Sequence, residues 1–61
     1  MEFIRFNYVD ENGNKSLIFI NEESIESFFE SGTYTKICLT SGDKFTIDLK
    51  LHDVAKMVVR Q

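Results

Sequence analysis

The dipeptide Asn12-Gly13 lies between two short apolar segments and constrains the fold more than any other feature of the sequence. Both residues tolerate the positive φ angles of a type I′ turn, so the dipeptide predicts a β-hairpin. The preceding segment, residues 3–9 (FIRFNYV), alternates between its two faces as a half-buried strand does. The following segment, residues 16–20 (SLIFI), is predicted to be the return strand.

A two-residue turn at this point fixes which side chains of the hairpin face each other. It places Tyr8 opposite Leu17 and Phe6 opposite Phe19, so that apolar side chains meet on one face. Residues 17–20 are nevertheless apolar on both faces, as in strands that are covered on both sides. In a sheet this small the second face needs cover from another subunit, so the pattern predicts a homo-oligomer, most simply a dimer.

Residues 21–31 (NEESIESFFES) fit two structures about equally well. In the first, Asn21 caps a helix whose first turn is acidic and which ends at Gly32. In the second, residues 21–24 form a short turn and a strand begins at Ile25. The pattern of apolar residues does not separate these alternatives.

A second hairpin is predicted further along the chain. Ile37 and Leu39 share one face of a strand, and Phe45 and Ile47 must join them on the core face. That parity requires a connection with an odd number of residues, most simply three, with Gly42 in the left-handed conformation.

The last segment, residues 51–60 (LHDVAKMVVR), predicts a C-terminal helix, because its apolar residues Leu51, Val54, Ala55 and Val58 recur at helical spacing. Together these elements predict an α+β fold. We expect a small antiparallel sheet of four to five strands, arranged as a β-hairpin meander, with one C-terminal helix.

The chain has 61 residues, so residues 1–61 are predicted to form a single small domain. A domain of this size buries a limited core and often depends on a disulfide, a metal or a partner subunit. Cys38 is the only cysteine, which excludes an internal disulfide, and one cysteine and one histidine cannot supply four soft metal ligands. Unusually good packing and self-association remain as sources of additional stability, and we favour self-association.

The formal net charge of −3 makes nucleic acid an unlikely partner, because such binding relies on clustered Lys and Arg. No apolar run approaches the ~20 residues that span a membrane. The N-terminal sequence lacks the basic and apolar regions of a signal peptide, so we expect a cytoplasmic protein that does not bind membranes.

No arrangement of residues in the sequence indicates catalysis. His52 is the only histidine, and on a helix its neighbour Asp53 points to another side. Cys38 has no adjacent base that would activate its thiol. We therefore predict no catalytic residue, no metal site and no cofactor. A group of carboxylates that is typical of a solvated surface comprises Glu22, Glu23, Glu26 and Glu30.

A chain without such motifs is expected to act by binding another protein, whose identity the sequence does not give. The candidate interface combines the strand that is apolar on both faces, an aromatic pair and the outward face of the second hairpin. The predicted interface residues are Ile18, Ile20, Phe28, Phe29, Tyr34 and Cys38.

Several segments together resemble the small bacterial proteins grouped around the flagellar protein FlbD. They are residues 19–21 (FIN), 24–26 (SIE) and 35–44 (TKICLTSGDK), followed by Val54 and Val58. That family has an apolar strand ending in Asn, an isoleucine-centred strand, a Thr-x-Ile-x-Leu-x-x-Gly segment, a short strand and a C-terminal helix. The resemblance implies a small antiparallel sheet with one helix, and it favours a strand at Ile25–Ser31 over the helical alternative. It also implies an accessory role through protein contacts, without catalytic residues.

A second resemblance points to a different function. Residues 31–43 (SGTYTKICLTSGD), followed by Leu51, resemble the central hairpin and helix start of a LytTR DNA-binding domain. This resemblance implies, as the alternative, a nucleic-acid-binding regulator. The negative charge by itself supports a third interpretation, an acidic mimic of nucleic acid. The predicted nucleic-acid contacts are Lys36, Lys44, Lys50 and Arg60.

Overall fold

The computed structural model describes residues 2–59, which form one antiparallel five-stranded sheet and one C-terminal helix. The predicted α+β class is therefore confirmed. A 3₁₀ turn, Glu22–Ser24, connects the second strand to the third. The elements are β1 (Phe3–Val9), β2 (Lys15–Asn21), β3 (Ile25–Ser31), β4 (Tyr34–Leu39), β5 (Lys44–Ile47) and α1 (Leu51–Val58).

The segment after β2 is a turn followed by a strand, so the helical alternative is wrong. The Asn21 side chain does cap a helical turn, because its Oδ1 accepts the N–H of Glu23 at 3.0 Å. That turn ends at once, since the chain from Ile25 onwards pairs with β4, where Phe28 lies opposite Ile37. Pairing with a neighbouring strand thus prevails over the local helix signal.

The β1–β2 hairpin has a register that differs by one residue from the predicted one. Phe6 lies opposite Ile18, so the predicted pairing of Phe6 with Phe19 is wrong. Successive side chains of a strand point to opposite faces, and a shift of one residue therefore exchanges the two faces of β2. Leu17 and Phe19 point away from the core, while Ile18 and Ile20 point towards it.

The shift originates in the connection between the two strands, which comprises residues 10–14. Asp10 organises this connection, because its Oδ1 accepts the N–H groups of both Asn12 and Asn14 at 2.9 Å. Gly13 adopts a φ of 85°, and its N–H donates to the carbonyl oxygen of Asp10. The longer turn is thus stabilised by a side chain that a two-residue turn would have placed in the strand.

The second hairpin has the predicted connection. The N–H of Leu39 donates to the carbonyl oxygen of Asp43 at 2.8 Å, which leaves three residues in the turn. Gly42 adopts a φ of 99°, as the prediction required. Phe45 lies opposite Ile37, so both side chains share the core face.

The strands lie in the order β2-β1-β5-β4-β3. β3, β4 and β5 follow one another as a meander, and the β1–β2 hairpin joins them through β1, where Tyr8 lies opposite Ile47. The edge strands β2 and β3 are connected by residues 22–24 alone. Four Cα–Cα steps span at most about 14 Å, whereas the edges of a flat five-stranded sheet lie about 19 Å apart. The sheet must therefore curl.

The inner side of the curled sheet holds the core, and α1 packs there against β3 and β4. Val54, in the predicted apolar stripe of the helix, is completely buried. The helix ends at Val58, and the predicted end at residue 60 lies outside the described residues. Thr35 is a completely buried polar residue of β4. The buried apolar residues are Ile4, Phe6, Ile20, Ile37, Ile47 and Val54.

Candidate protein-interaction surface

Three of the predicted interface residues lie on the inner side of the sheet. Ile20 is only 3% exposed and belongs to the core. Ile18 and Phe28 are half-buried and pack against that core from the same side. These side chains are satisfied within the monomer, so they leave little apolar surface for a partner.

The other three predicted interface residues lie on the outer side of the sheet. Because Ile37 points inwards, its neighbours Lys36 and Cys38 point outwards. Phe29 lies directly opposite Lys36 and is 46% exposed. Tyr34 and Cys38 are half-buried on the same outer side.

The largest group of exposed apolar side chains lies on the outer side of the β1–β2 hairpin. Phe3, Leu17 and Phe19 are 59%, 58% and 59% exposed. Arg5 lies opposite Phe19, and Asn7 lies opposite Leu17. Phe3 is a diagonal neighbour of Phe19, at a distance that aromatic side chains reach across. We call the group formed by these five residues the hairpin surface.

The sequence predicted that β2 is apolar on both faces, but the predicted register put Leu17 and Phe19 on the core face and left Ile18 and Ile20 for the interface. The prediction of a second apolar face came from residues 17–20, which are apolar on both faces in any register of the hairpin. Which residues point outwards does depend on the register, because the predicted two-residue turn placed Leu17 and Phe19 on the core face. The spacing of Asp10 and Asn14 around Asn12-Gly13 is the signal that could have given the longer turn.

The backbone of β2 is also accessible along its outer edge, since β2 lies at the end of the strand order. Backbone hydrogen bonds join Asp10 to Asn14 and Glu22 to Glu2 at the two ends of the hairpin ladder. Antiparallel bonding alternates, so the even-numbered residues of β2 direct their backbone groups to β1. The N–H and C=O groups of Leu17 and Phe19 therefore point away from the sheet.

The cationic side chains of the strands point to the outer side of the sheet. Arg5, Lys36 and Lys44 all point outwards by register. Lys15 does too, and its Nζ lies 3.0 Å from Oδ2 of Asp48. The hydrogen bond that the exposed Lys15 ammonium group donates to the Asp48 carboxylate raises the pKa of Lys15, and the negative charge of Asp48 adds to the effect. The outer side is thus more positive than the net charge of the chain suggests.

The structure brings together two of the four predicted nucleic-acid contacts. Lys36 and Lys44 share the outer side, on β4 and β5. Lys50 precedes α1 and lines a small cavity with Glu30 and Leu51, away from those two residues. Arg60 lies outside the described residues.

That cavity measures about 140 Å³, whereas pockets for drug-sized ligands usually hold about 300–1,000 Å³. His52 is exposed in the first turn of α1, and Cys38 is half-buried in β4. Among residues 2–59, no three His, Cys, Asp or Glu side chains come together as metal ligands would.

In the described part of the chain, no helix has the length and apolar character needed to cross a membrane. The chain matches no protein-family model, and no curated protein or solved structure matches it at a significant level.

Proposed function

We propose that this protein is a small, non-enzymatic accessory or regulatory protein that acts in the bacterial cytoplasm through protein–protein contacts. The observation that carries the proposal is the hairpin surface, where Phe3, Leu17 and Phe19 are each more than half exposed. Isolated exposed apolar residues are common on protein surfaces, but a contiguous group of large ones is typical of a binding site.

The composition of the hairpin surface fits a protein partner. Aromatic residues and Arg are enriched at the energetically important centres of protein interfaces, and Arg5 lies opposite Phe19. Asn7 and Asn21 flank the apolar residues and offer hydrogen bonds at the rim. The surface is held by two paired strands, so binding would order few additional backbone groups. The resemblance to the FlbD-like proteins supports the same accessory role.

The test is affinity capture of the tagged protein from its source cells, with and without nuclease. We expect a discrete protein that survives nuclease treatment and that Phe19→Lys no longer captures. Phe29→Lys is the matched control, because Phe29 is also an exposed outward phenylalanine but lies on β3. Equal loss of the captured protein with both variants would show that the hairpin surface is not the interface.

A second candidate function, a nucleic-acid-binding regulator of the LytTR type, is favoured by the cations on the outer side of the sheet. Lys36 lies opposite the exposed Phe29, and Lys44 lies on the next strand. Aromatic rings next to cations suit single strands, whose bases can stack while the phosphates meet Lys.

This alternative predicts that binding to a mixed-sequence oligonucleotide weakens steeply as salt rises, because condensed counterions are released on binding. Lys36→Gln should weaken binding, and Lys56→Gln on the exposed face of α1 should not. Absence of binding at low salt would eliminate this function.

A further inference from the structure

We propose that β2 pairs antiparallel with β2 of a second copy of this chain, about a twofold axis at Ile18, to form a dimer with a continuous sheet. This inference rests on the proposed function, since it takes the hairpin surface to be a protein interface and names its first occupant. It also assigns a partner to the outer edge of β2. Within the monomer, none of the described strands pairs with that edge.

The backbone of β2 carries the first part of the argument. Leu17 and Phe19 direct their N–H and C=O groups to the outside, where a second strand would accept and donate the same bonds. Exposed edges of this kind are usually blunted by proline, by a bulge or by a covering element. β2 contains no proline, and it pairs with β1 in an unbroken register from Lys15 to Asn21. The edge is therefore ready to pair.

The side chains of β2 select one register. Ile18 is the midpoint of the strand, and a twofold axis there pairs all seven residues with a partner residue. Leu17 then lies opposite the partner's Phe19, and Phe19 opposite the partner's Leu17. In each of these two pairs, the N–H and C=O groups of both residues point across the edge towards the other copy, as those of a hydrogen-bonded pair must. The register therefore joins the two hairpin surfaces into one apolar group.

The charges favour this edge-to-edge arrangement over stacking of two outer faces. Stacking of the two hairpin surfaces about a twofold axis would bring Arg5, at their centre, towards Arg5 of the other copy. In the edge-to-edge register, Lys15 lies opposite Asn21 of the partner, so no like charges meet across the pair.

The size of the interface sets the expected strength. Each half-exposed phenylalanine offers about 100 Å² of apolar surface, and the paired backbones add a comparable contribution. Two outward side chains from each copy and the paired backbones together give roughly 800 Å², below the about 1,000–1,200 Å² that stable interfaces bury, so the dimer belongs to the weak class. We therefore expect a dimer with a dissociation constant in roughly the micromolar range.

Sedimentation velocity over a range of concentrations tests whether the dimer forms by this edge. The wild type should pass from monomer to dimer, and Leu17→Pro should remain monomeric. Proline removes an N–H that points away from β1, so the hairpin ladder is retained. Phe19→Lys should also be monomeric, and Phe29→Lys should dimerise like the wild type. A folded wild type that stays monomeric at millimolar concentration would overturn the proposal.

Disulfide trapping tests the register, in a Cys38→Ser background. Mixing Leu17→Cys with Phe19→Cys should give a crosslinked dimer, because the Cα atoms of such a pair lie about 5.5 Å apart. Both positions are exposed, so neither change threatens the fold. Ser16→Cys alone is the control, since the two copies of residue 16 would lie about 13 Å apart. Crosslinking of Ser16→Cys without crosslinking of the mixture would overturn the register.

The two proposals fail in different ways. If the wild type is monomeric and Phe19→Lys still abolishes capture of another protein, the dimer is refuted and the proposed function stands. If the trapped dimer forms and no other protein is captured, the dimer stands and the accessory role is refuted.

Discussion

The buried hydroxyl of Thr35 donates a hydrogen bond to the backbone carbonyl oxygen of Leu49, with 2.9 Å between the two oxygen atoms. This bond joins the beginning of β4 to the segment that leads into α1. The helix has eight residues and no side-chain cap at Lys50, so it would not be stable alone. Its position therefore depends on this bond and on the burial of its apolar stripe.

Replacement of Thr35 by valine should destabilise the protein by about 1–2 kcal/mol, because the shape is kept while the Leu49 carbonyl loses its donor. The free energy of unfolding from urea titration measures the effect. Thr46→Val on the outer side of β5 is the matched control and should change the stability by less than about 0.5 kcal/mol. Equal effects of both changes would mean that the Thr35 bond contributes nothing particular.

Val54→Ala should cost about 2 kcal/mol, since it removes two methyl groups from a completely buried position. Lys56→Ala, at an exposed position of the same helix, should be nearly neutral. Circular dichroism during thermal unfolding measures both variants. If Val54→Ala were as stable as the wild type, α1 would not be docked on the sheet as described.

The second hairpin could be predicted from sequence because several residues independently require a turn with an odd number of residues. Ile37, Leu39, Phe45 and Ile47 had to share one face, and Gly42 supplied the one unusual backbone conformation that this requires. The first hairpin had no such redundancy, since residues 17–20 are apolar on either face. Turn chemistry alone then decided the register, and the side chain of Asp10 chose the longer turn.

The observed register predicts opposite outcomes for two neighbouring lysine substitutions. Phe19→Lys should remain folded, because that side chain is exposed, whereas Ile20→Lys should unfold the protein, because it buries a charge in the core. One-dimensional proton NMR distinguishes a dispersed folded spectrum from an unfolded one. The reverse result would restore the register predicted from the two-residue turn.

Gly42→Ala should cost about 1 kcal/mol or more, because an L-residue is strained at a φ of 99°. The added methyl group itself meets no atom within 4 Å, so the cost is conformational. The chain is short enough for chemical synthesis, and D-alanine at position 42, which favours positive φ, should be tolerated. Equal destabilisation by L- and D-alanine would indicate a steric cause instead.

The ion pair between Lys15 and Asp48 predicts a stability difference that depends on pH. The pKa of Lys15 is raised above 10.5, so its contribution is complete at neutral pH and is lost as pH rises through the raised value. Lys15→Gln should therefore be slightly less stable than the wild type at pH 7, and this difference should disappear once the pH is well above the raised pKa of Lys15. Because the pair is exposed, about 1 M salt should also reduce the difference.

The candidate site was less accessible to sequence reasoning than the fold. Exposure at Phe3 depends on the strand order, which places β1 beside β5 and leaves the outer side of both strands uncovered by α1. No local pattern encodes that order, since it arises from the pairing of residues far apart in the chain. The direction of the cations was likewise hidden, because Arg5, Lys36 and Lys44 are dispersed in sequence and are placed on one side only by the strand pairing.

The short contact between β1 and β5 has a consequence for folding kinetics. Each flanking unit, the β1–β2 hairpin and the β3–β5 meander, is built from pairings of residues close in sequence, and hairpins close in about 1–10 μs. The two units meet at Tyr8 and Ile47, and the N–H of Asp48 donates to the carbonyl oxygen of Asn7. Closing that long loop comes before any gain from the shared core, so we expect the encounter of the two units to limit the folding rate.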